Sequence, residues 1–547
     1  MAIEQPRLSH VNPIPVLVVL AVGTFMTLLD LTIVNVAIPS ILDGLNASLD
    51  QILWVLNGYS LAYAVLLITT GRLGDIVGPR NLFVVGMGVF TVASALSGLA
   101  QDPTQLILAR AAQGLGAAIL APQGMPILLS IVPPKQRGSM FAIFGILAGV
   151  AVAAGPTLGG FLVTHFGWRS IFYVNLPVGA LTIVAAMLII PDLRPGRRHR
   201  LDFLGVGLAT AGLLAMVYGL IEGERYNWGT VTGFVTIPEI IAAGVALLLV
   251  FLGYQASRQR GEPLLPFAIF RDRNFSLMCF VLAGMGFAIL GLYLPLTIYY
   301  QSVLGLSAQD AGLTIAIQPV TMMFVSGLAG ALTQRISPKY LLIPGLLLLA
   351  AGSAYIAWTA QVNTSRWAFA PGLILSGIGM GFVWTPVFAL ATRDLRPQLA
   401  GVASGVINTI QELGAVIASA SVGALLQNRL GAALHDQAVQ RSAQLPDAFR
   451  SRFVDGFSQA AKHGFEVGRG QTGGSLQLPA GVPSSVVHQL QQLAHDVFTN
   501  AFVIAMRPTL GLPIAVLVVV ALSCFAVRAH SVTQLDTSVV EEPASVA

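Results

Sequence analysis

The stretch Leu28-Leu-Asp30-Leu-Thr-Ile-Val-Asn35-Val-Ala-Ile-Pro39 decides the fold class, because it places one carboxylate inside a long apolar run. The run extends from Pro15 to Ile38. A helix of that length, at about 1.5 Å per residue, crosses a hydrocarbon layer of roughly 30 Å. Asp30 has no charged neighbour there. A carboxylate at membrane depth is costly, so it must face protein or water, or be protonated.

Two hypotheses describe Asp30. As a titrating group it could bind and release protons near neutral pH. The alternative is a structural polar group that is hydrogen-bonded to another helix, with Thr32 or Asn35 as further candidates for contact. Acidic residues inside membranes usually have a function, which favours the titrating group.

Composition places the chain in a membrane. Of its 547 residues 55% are hydrophobic and only 10% are charged, and the mean hydropathy is +0.77, whereas soluble proteins carry about 25% charged residues. The net charge of +5 resides in short loops, so it does not indicate nucleic-acid binding. Cys279 and Cys524 lie in apolar runs and are too few for a disulfide framework. The first apolar run is too long for a signal peptide and lacks a small-x-small cleavage site.

The apolar segments predict an all-α polytopic membrane protein with fourteen transmembrane helices. Each segment is long and contains Gly or Pro, which is typical of helical membrane proteins and not of barrels. The predicted spans are 15–38, 51–71, 82–100, 104–131, 138–163, 170–190, 203–222, 235–254, 274–300, 307–332, 340–360, 368–392, 400–427 and 509–528.

The distribution of Lys and Arg predicts the orientation. With the N-terminus inside, the inner segments hold 18 of these residues and the short outer loops hold three. Because positive charge favours the inner side, we expect a multi-pass protein of the inner (cytoplasmic) membrane with both termini cytoplasmic. The long segment 428–508 is then an extracellular loop. We predict two short helices in it, around a Gly/Gln/Ser-rich middle at 468–485.

An internal repeat indicates duplicated halves. The loop Gly71-Arg-Leu-Gly-Asp75-Ile-Val-Gly78-Pro79-Arg80 recurs as Gly330-Ala-Leu-Thr-Gln334-Arg-Ile-Ser-Pro338-Lys339, and each copy follows the second span of a six-span block. The predicted domains are therefore an N-terminal six-helix bundle (1–190), a basic linker with two inserted helices (191–273), and a C-terminal six-helix bundle (274–547). Duplicated halves of this kind place a substrate site between them, near the middle of the membrane.

Five motifs, in order and at matching spans, resemble the fourteen-span drug:proton antiporter branch of the major facilitator superfamily. They are Asp30-x-Thr32-x-x-Asn35-x-Ala37-x-Pro39, Gly71-x-Leu73-x-Asp75-x-x-Gly78-x-Arg80, Leu106-x-x-x-Arg110-x-x-Gln113-Gly114-x-Gly116, Gly145-x-x-x-Gly149 through Gly155-Pro156-Thr-Leu-Gly159-Gly160, and Trp168-Arg169-x-x-Phe172-x-x-Asn175-x-Pro177-x-Gly179.

The resemblance implies the major facilitator fold, two six-helix bundles with two inserted helices. It also implies a proton-coupled antiporter that exports bulky amphipathic or cationic drugs by alternating access. The alternative is a dedicated exporter of one endogenous metabolite, antibiotic or lipid.

Two further charged residues lie deep in spans. Arg110 is the only Lys or Arg well inside a predicted span, so it needs Gln113, backbone carbonyls, a carboxylate or water as partners. The resemblance implies a role for Arg110 in proton coupling; the alternative is a packing arginine. Glu412 lies near the middle of span thirteen and could hold a cationic substrate, a second proton, or a purely structural hydrogen bond.

Two motifs have a conformational interpretation. Gly71, Asp75, Gly78 and Arg80 lie at the end of span two, where a charge cluster could latch neighbouring helix ends as a cytoplasmic gate; the alternative is a solvated turn. Pro79 stands where the family usually has a basic residue, which predicts a weaker latch. In span five, glycines permit close helix packing and a proline can kink the helix, while the resemblance implies a hinge and leak seal. These residues are Gly145, Gly149, Gly155, Pro156, Gly159 and Gly160.

Aromatic and amide side chains on several spans could form a polarizable wall for bulky substrates, or could simply pack in the core or face lipid. The predicted cavity residues are Asn35, Tyr59, Tyr63, Gln113, Tyr293, Gln318, Trp384, Asn408 and Gln411, with Phe287 and Phe388 beside them.

A channel and a membrane-embedded enzyme are the rival classes. Duplicated halves with deep carboxylates favour alternating access over a channel. No histidine lies deep in a span, and neither a Cys/His metal-ligand set nor a Walker motif occurs. We therefore expect no enzyme activity, no metal and no other cofactor, with a proton gradient as the energy source. The expected partners are small molecules, protons and the lipid bilayer, without nucleic acid, and the expected oligomeric state is a monomer.

Overall fold

The computed structural model describes residues 12–133, 136–192, 201–223, 225–445, 447–463 and 484–528. The basic run at 194–200 and most of the Gly/Gln/Ser-rich stretch lie outside the described residues. Within the described part, fourteen helices are long and apolar enough to cross a membrane, which confirms the predicted fold class.

The described residues contain eighteen α-helices and one short hairpin. Spans four, six and ten are each built from two consecutive helices, α4–α5, α7–α8 and α12–α13, and α17 lies outside the spans. The bounds are α1 (Pro13–Leu45), α2 (Leu49–Val77), α3 (Pro79–Leu99), α4 (Pro103–Leu120), α5 (Gly124–Ile131), α6 (Arg137–Phe166), α7 (Ser170–Tyr173), α8 (Asn175–Ile189), α9 (Phe203–Glu222), β1 (Thr230–Thr232), β2 (Val235–Thr236), α10 (Ile237–Ser257), α11 (Arg273–Ile298), α12 (Ala308–Ile315), α13 (Ile317–Leu332), α14 (Lys339–Thr359), α15 (Ala370–Ala391), α16 (Ala400–Ser442), α17 (Asp447–His463) and α18 (Ser484–Ser523).

Polar caps mark where the apolar helices begin and end. The Asn12 side chain accepts a hydrogen bond from the backbone N–H of Ile14, and Pro13 occupies the first helical position, where its missing N–H costs nothing. Helix α1 ends at Asn46 in the left-handed conformation, with φ 47°. Helix α2 opens with a reciprocal capping box between Ser48 and Gln51.

The helices pack as two groups of six spans. In the first, α1 lies against α6, α2 against α4, and α3 against α4 and α8. In the second, α11 lies against α16, α14 against α15, and α18 against both α14 and α16. The two groups meet along α2 with α16 and along α6 with α13. Each of these two seams therefore joins the second span of one half to the fifth span of the other.

The inserted helices α9 and α10 pack on each other, and α9 also lies against α2 and α16. The insert is anchored by Asp202, whose carboxylate accepts hydrogen bonds from the Gly205 N–H, the Tyr254 hydroxyl and the Gln255 amide at 2.8–3.0 Å. Burial raises the pKa of Asp202, but these donors and the charge of Arg258 outweigh it, so that the pKa lies below its usual value.

The segment 428–508 differs from the prediction of two short helices. Among the described residues of the segment, α17 is the one separate helix; α16 continues without interruption to Ser442, and α18 already begins at Ser484. The extensions persist because apolar residues at helical spacing, such as Leu430 and Leu434, join a shared core with Val497 and Phe498. Spans thirteen and fourteen therefore continue as helices beyond the rest of the bundle, at the end where the segment 428–508 lies.

We call the other end, which carries the loops around residues 78, 136, 336 and 396, the basic end. The two copies of the repeat lie there in equivalent places. Arg80 donates to the carbonyl of Ile190 at 3.4 Å and contacts Asp192 at 3.5 Å, at the end of span six. Lys339, at the same repeat position, donates to the carbonyls of Phe525 and Val527 at 2.8 Å each, at the end of span fourteen.

Candidate functional site

The site is centred on a buried ion pair between helices α1 and α4. Asp30 and Arg110 have 0% and 1% of their side-chain surface exposed, and 2.5 Å separates the Arg110 Nη1 from the Asp30 Oδ2. The Nε of Arg110 also donates to the carbonyl of Val55 on α2 at 3.4 Å. A carboxylate or a guanidinium alone would be costly at this depth. Their mutual attraction offsets the loss of hydration of both groups.

Amide side chains complete the coordination of the pair. Gln113 accepts from the Arg110 Nη1 at 2.8 Å and donates to the Asp30 Oδ1 at 2.8 Å, which closes a ring of three side chains. Asn175, at the start of α8, donates to the same Oδ1 at 3.3 Å. Asp30 therefore accepts hydrogen bonds from three side chains on two helices, α4 and α8.

Thr32 and Asn35, which were predicted as further contacts of Asp30, bond elsewhere in this structure. The Thr32 hydroxyl donates to carbonyls of its own helix at 3.0 and 3.3 Å. The Asn35 amide does the same, to the carbonyl of Leu31 at 2.9 Å, and the side chain is exposed. Both side chains therefore form their hydrogen bonds within α1, because threonine and asparagine in a helix can reach the backbone carbonyls of the preceding turn.

Aromatic rings enclose Arg110. Its guanidinium lies 4.4 Å from the centre of the Tyr59 ring and 6.0 Å from that of Phe172, distances at which a cation is attracted to a ring face. The Tyr59 hydroxyl is buried and has no hydrogen-bond partner among the described residues. Tyr59 stacks at 6.3 Å on Tyr63, one turn further along α2.

The second deep acid has a different environment. Glu412, on α16, is half-buried. In the described part of the chain it has no hydrogen bond or ion pair, and Tyr63 and Tyr59 of α2 lie within range of its charge. Helix α2 thus stands between the two acids, with Tyr59 beside the ion pair and Tyr63 toward Glu412. A carboxylate without a cationic partner could interact favourably with an incoming cation.

The predicted cavity residues divide into two groups. Three are fully buried in this structure: Tyr59 and Gln113 belong to the ion-pair cluster, and Gln318 reaches the sulfur of Met380 at 3.8 Å. Asn35 is exposed. The others are half-buried on α2, α11, α15 and α16: Tyr63, Tyr293, Trp384, Asn408, Gln411 and, beside them, Phe287 and Phe388.

At the basic end, Asp75 bridges the two halves. Its carboxylate oxygens accept from the backbone N–H groups of Gly401 and Val402 at 3.2 and 3.3 Å, at the first turn of α16. A carboxylate there is favoured by the helix dipole. Gly71 packs directly against the backbone of Gly401, where a larger residue has no room. The structure places Asp75 at this helix end and Arg80 at the end of span six, so the two do not form one charge cluster.

The neighbouring residues of the loop 71–80 have backbone roles. Gly78 adopts φ 102°, a conformation that suits glycine. Pro79 follows as the first residue of α3, a position at which proline is readily accommodated. The weaker latch expected from Pro79 stays a prediction, because the contacts of Asp75 with α16 do not involve Pro79. A second bridge lies nearby, where Arg137 donates to the carbonyl of Thr392 at 2.8 Å.

The glycines of α6 face two different helices. Gly145 and Gly149 pack against Ser326 and the Pro319 carbonyl of α13, in the other half. Further along, Gly155 and Gly159 pack against Thr32 and Ile33, which directly follow the pair-forming part of α1. Pro156 lies within the unbroken helix, and the Gln309 side chain lies beside Gly160. Helix α6 therefore contacts both the seam between the halves and the helix that carries Asp30.

Three residues that contribute to the site were not among the site residues predicted from the sequence: Asn175, Ser94 and Phe172. The Asn175 amide donates to the Ser94 hydroxyl at 3.0 Å as well as to Asp30, and Ser94 donates to the carbonyl of Phe172 at 2.9 Å. The signal that could have found two of them is their position in the motif from Trp168 to Gly179.

The fold and the site together define a helical membrane transporter with duplicated halves and a buried charge pair in one of them. The family description of the Major Facilitator Superfamily matches residues 20–419, and the chain belongs to this family. The predicted resemblance is thereby confirmed. Membership of a transporter family also agrees with the expectation of a transporter and not an enzyme.

Curated relatives support the assignment. An uncharacterized MFS-type transporter of Mycobacterium tuberculosis is 39% identical over 82% of this chain and 78% of its own length. The tetracenomycin C resistance and export protein of Streptomyces glaucescens is 34% identical over 87% of this chain and 86% of its own. The puromycin resistance protein pur8 of Streptomyces alboniger is 34% identical, covering 78% and 84%.

One solved structure shows the same fold at low sequence identity. The human organic anion transporter MFSD10 (TETRAN) matches 94% of this chain and 100% of its own, with a TM-score of 0.57 and 13% identity. At that identity the likeness concerns the fold alone.

Proposed function

We propose that the chain is a proton-coupled antiporter that exports bulky amphipathic or cationic compounds across the cytoplasmic membrane by alternating access. The buried Asp30–Arg110 pair carries the proposal. A carboxylate at this depth is stable when ionised beside Arg110 or when protonated. Each change between these forms alters its pairing with α4, which gives proton binding a way to move helices.

The contacts between the halves support the conformational part of the proposal. Asp75 with α16, Arg137 with Thr392, and Gln334 with the Ser139 hydroxyl all join the halves at the basic end. We propose that this end faces the cytoplasm and that the described conformation is closed there. Alternating access then requires these contacts to break, while the glycine-lined seams of α6 with α13 and α2 with α16 let the halves rock.

The relatives support the export direction and the substrate class. Two of them are resistance or export proteins for tetracenomycin C and puromycin. A dedicated exporter of one metabolite, antibiotic or lipid is the second candidate, since the name of each of these two relatives specifies a single compound. A panel of ethidium, puromycin and an aromatic polyketide separates the two: transport of several favours the multidrug exporter, and transport of one favours the dedicated one.

The proton role is tested by Asp30→Asn, which keeps the size and hydrogen-bonding capacity of a protonated acid but cannot release a proton. In inverted vesicles with an imposed pH gradient, we expect ethidium accumulation to fall to the level of vesicles without the transporter. Ethidium binding to the purified protein should remain.

A matched control is Asp43→Asn, the same substitution on the same helix at an exposed position. It should transport as the unmodified protein does. Full gradient-driven accumulation by Asp30→Asn would contradict the assignment and direct attention to Glu412. Loss of folded protein in detergent would instead support a structural role for Asp30.

Glu412 has a separate test. Because a cation would offset the desolvation of a half-buried carboxylate, Glu412→Gln should reduce the transport of ethidium more than that of uncharged chloramphenicol. Initial rates for both compounds in the same vesicles measure the ratio. Equal losses for the two compounds would argue for a proton or structural role of Glu412.

A further inference from the structure

The motif from Trp168 to Gly179 was prominent in the sequence but has no role in the proposed mechanism so far. Its residues run from the end of α6 through α7 into the first turns of α8, and they connect the helices around Asp30. At one end, Trp168 packs against Gly44 near the end of α1, and Arg169 donates to the Ala100 carbonyl at the end of α3, at 2.7 Å. At the other, Gly179 fits closely against Thr91 of α3.

The middle of the motif reaches the ion pair itself. The Phe172 ring is one of the two that flank Arg110, and the Phe172 carbonyl accepts from Ser94. Three residues later, the buried Asn175 donates both to Ser94, at 3.0 Å, and to the Asp30 Oδ1, at 3.3 Å. One chain of hydrogen bonds therefore runs from the backbone of α7 through Ser94 and Asn175 to the carboxylate.

We infer that Asn175 is a positioning residue for the proton cycle of Asp30, and that Ser94 holds Asn175 in place. This inference rests on the proposed function. An amide carries both donors and an acceptor, so Asn175 can satisfy the carboxyl group in either protonation state. Arg110 and Gln113 reach Asp30 from α4 alone, whereas Asn175 approaches it from α8. Asp30 thus keeps a partner when it separates from Arg110.

The surroundings limit which other groups could take this role. The charged or titratable groups near Asp30 are Arg110 from α4 and Tyr59 from α2, with Tyr63 and Glu412 beyond them. No charged side chain of α6, α7 or α8 pairs with Asp30 in the described part of the chain. Asn175 is therefore the contact that α8 makes with the carboxylate, and it acts without adding charge.

The test reads the protonation of Asp30 directly. In the purified protein, infrared difference spectra against pH should contain a carboxyl C=O band that is absent from Asp30→Asn. The hydrogen bond from Asn175 is stronger when Asp30 is ionised. Asn175→Leu removes it, so the band should reach half its height at a pH about one unit higher than in the unmodified protein. Ser94→Ala, which removes the hydroxyl that holds Asn175, should move the midpoint the same way by less.

Asn500→Leu is the matched control, because the Asn500 amide bonds only the Asp496 carbonyl of its own helix, far from the site; its midpoint should not move. An unmoved midpoint in Asn175→Leu, with the protein folded, would overturn the positioning role and leave the proposed function intact. If Asn175→Leu does not fold, Ser94→Ala decides by the same criterion. If no Asp30-dependent band appears at any pH from about 4 to about 10, the proposed proton site itself is overturned.

Discussion

The two copies of the repeated loop occupy equivalent places but make chemically different contacts. At the fifth position of the repeat, Asp75 accepts from the backbone at the start of α16, which is the fifth span of the second half. At the same position of the second copy, Gln334 donates to the hydroxyl of Ser139 near the start of α6, the fifth span of the first half. The two loops therefore share their position in the fold, but the contact of the first copy is made by a charged side chain and that of the second by a neutral one.

The same asymmetry holds in the membrane interior. The first half contains an ion pair in which both members are buried, Asp30 with Arg110. The second half contributes Glu412, which is half-buried and has no ionic partner among the described residues. A duplicated fold can thus keep its helix packing in both halves and concentrate its charge chemistry in one. This comparison predicts that equivalent substitutions in the two halves have unequal effects.

The largest expected difference concerns the two interior sites. Arg110→Leu leaves the Asp30 carboxylate buried without its cation and should lower the free energy of unfolding by about 3–5 kcal/mol. Glu412→Gln removes a charge that has no cation to lose and should change it by about 0.5 kcal/mol or less. Thermal or denaturant unfolding in one detergent measures both.

The double variant Asp30→Asn/Arg110→Leu is the control for the first value. Because it removes both charges, it should recover a large part of the stability lost in Arg110→Leu. Equal destabilisation by Arg110→Leu and Glu412→Gln would break the proposed contrast between the halves.

A smaller effect is expected at the basic end. A carboxylate at a helix N-terminus contributes about 0.3–2 kcal/mol, so Asp75→Asn should increase the population open at the basic end by up to about thirtyfold. Gln334→Ala removes a neutral hydrogen bond and should increase it by about fivefold or less. Spin labels at the exposed positions Gln136 and Asp394 report the distance between the halves.

The labelled proteins need a background without Cys279 and Cys524, both of which are buried. Lowering the pH should increase opening more in the unmodified protein than in Asp75→Asn, because the Asp75 carboxylate can be neutralised and the asparagine amide cannot. Similar opening in both single variants would show that the charge of Asp75 adds nothing to the gate.

The spans could be predicted from the sequence because about twenty consecutive apolar residues have few other interpretations. The need of Arg110 for polar partners was equally predictable, since an unpaired guanidinium is costly in a membrane. Arg110 indeed bonds Gln113 and a carboxylate, that of Asp30. The contact of Asn175 with Asp30 was not predicted, because the two residues lie 145 positions apart and only the packing of α1 and α8 brings them together.

Which face of a span points inward was also hard to predict. In a membrane both the lipid and the protein interior are apolar, so the sequence pattern lacks the polar face that orients a helix in a soluble protein. Tyr59 and Tyr63 illustrate this: both were expected to line a cavity, yet Tyr59 is buried against Arg110 while Tyr63 is half-buried toward Glu412. Helices were predicted within 428–508, but not that two of them continue α16 and α18, because polar residues there end the apolar runs by which the spans are recognised.

The smallest effect compares the last position of the repeat, where both copies are basic. Lys339 holds the end of span fourteen with two hydrogen bonds of 2.8 Å, whereas Arg80 holds the end of span six with contacts of 3.4 and 3.5 Å. Lys339→Met should therefore weaken its helix end by about 1 kcal/mol, and Arg80→Met by about 0.5 kcal/mol or less. Hydrogen exchange of the amides at 522–528 and at 186–192 measures the two ends in the same protein. Because methionine keeps most of the apolar stem, the comparison isolates the charged group in each case. A larger effect for Arg80 would mean that its ion pair with Asp192 outweighs hydrogen-bond length, and that charge dominates in the first half at this position too.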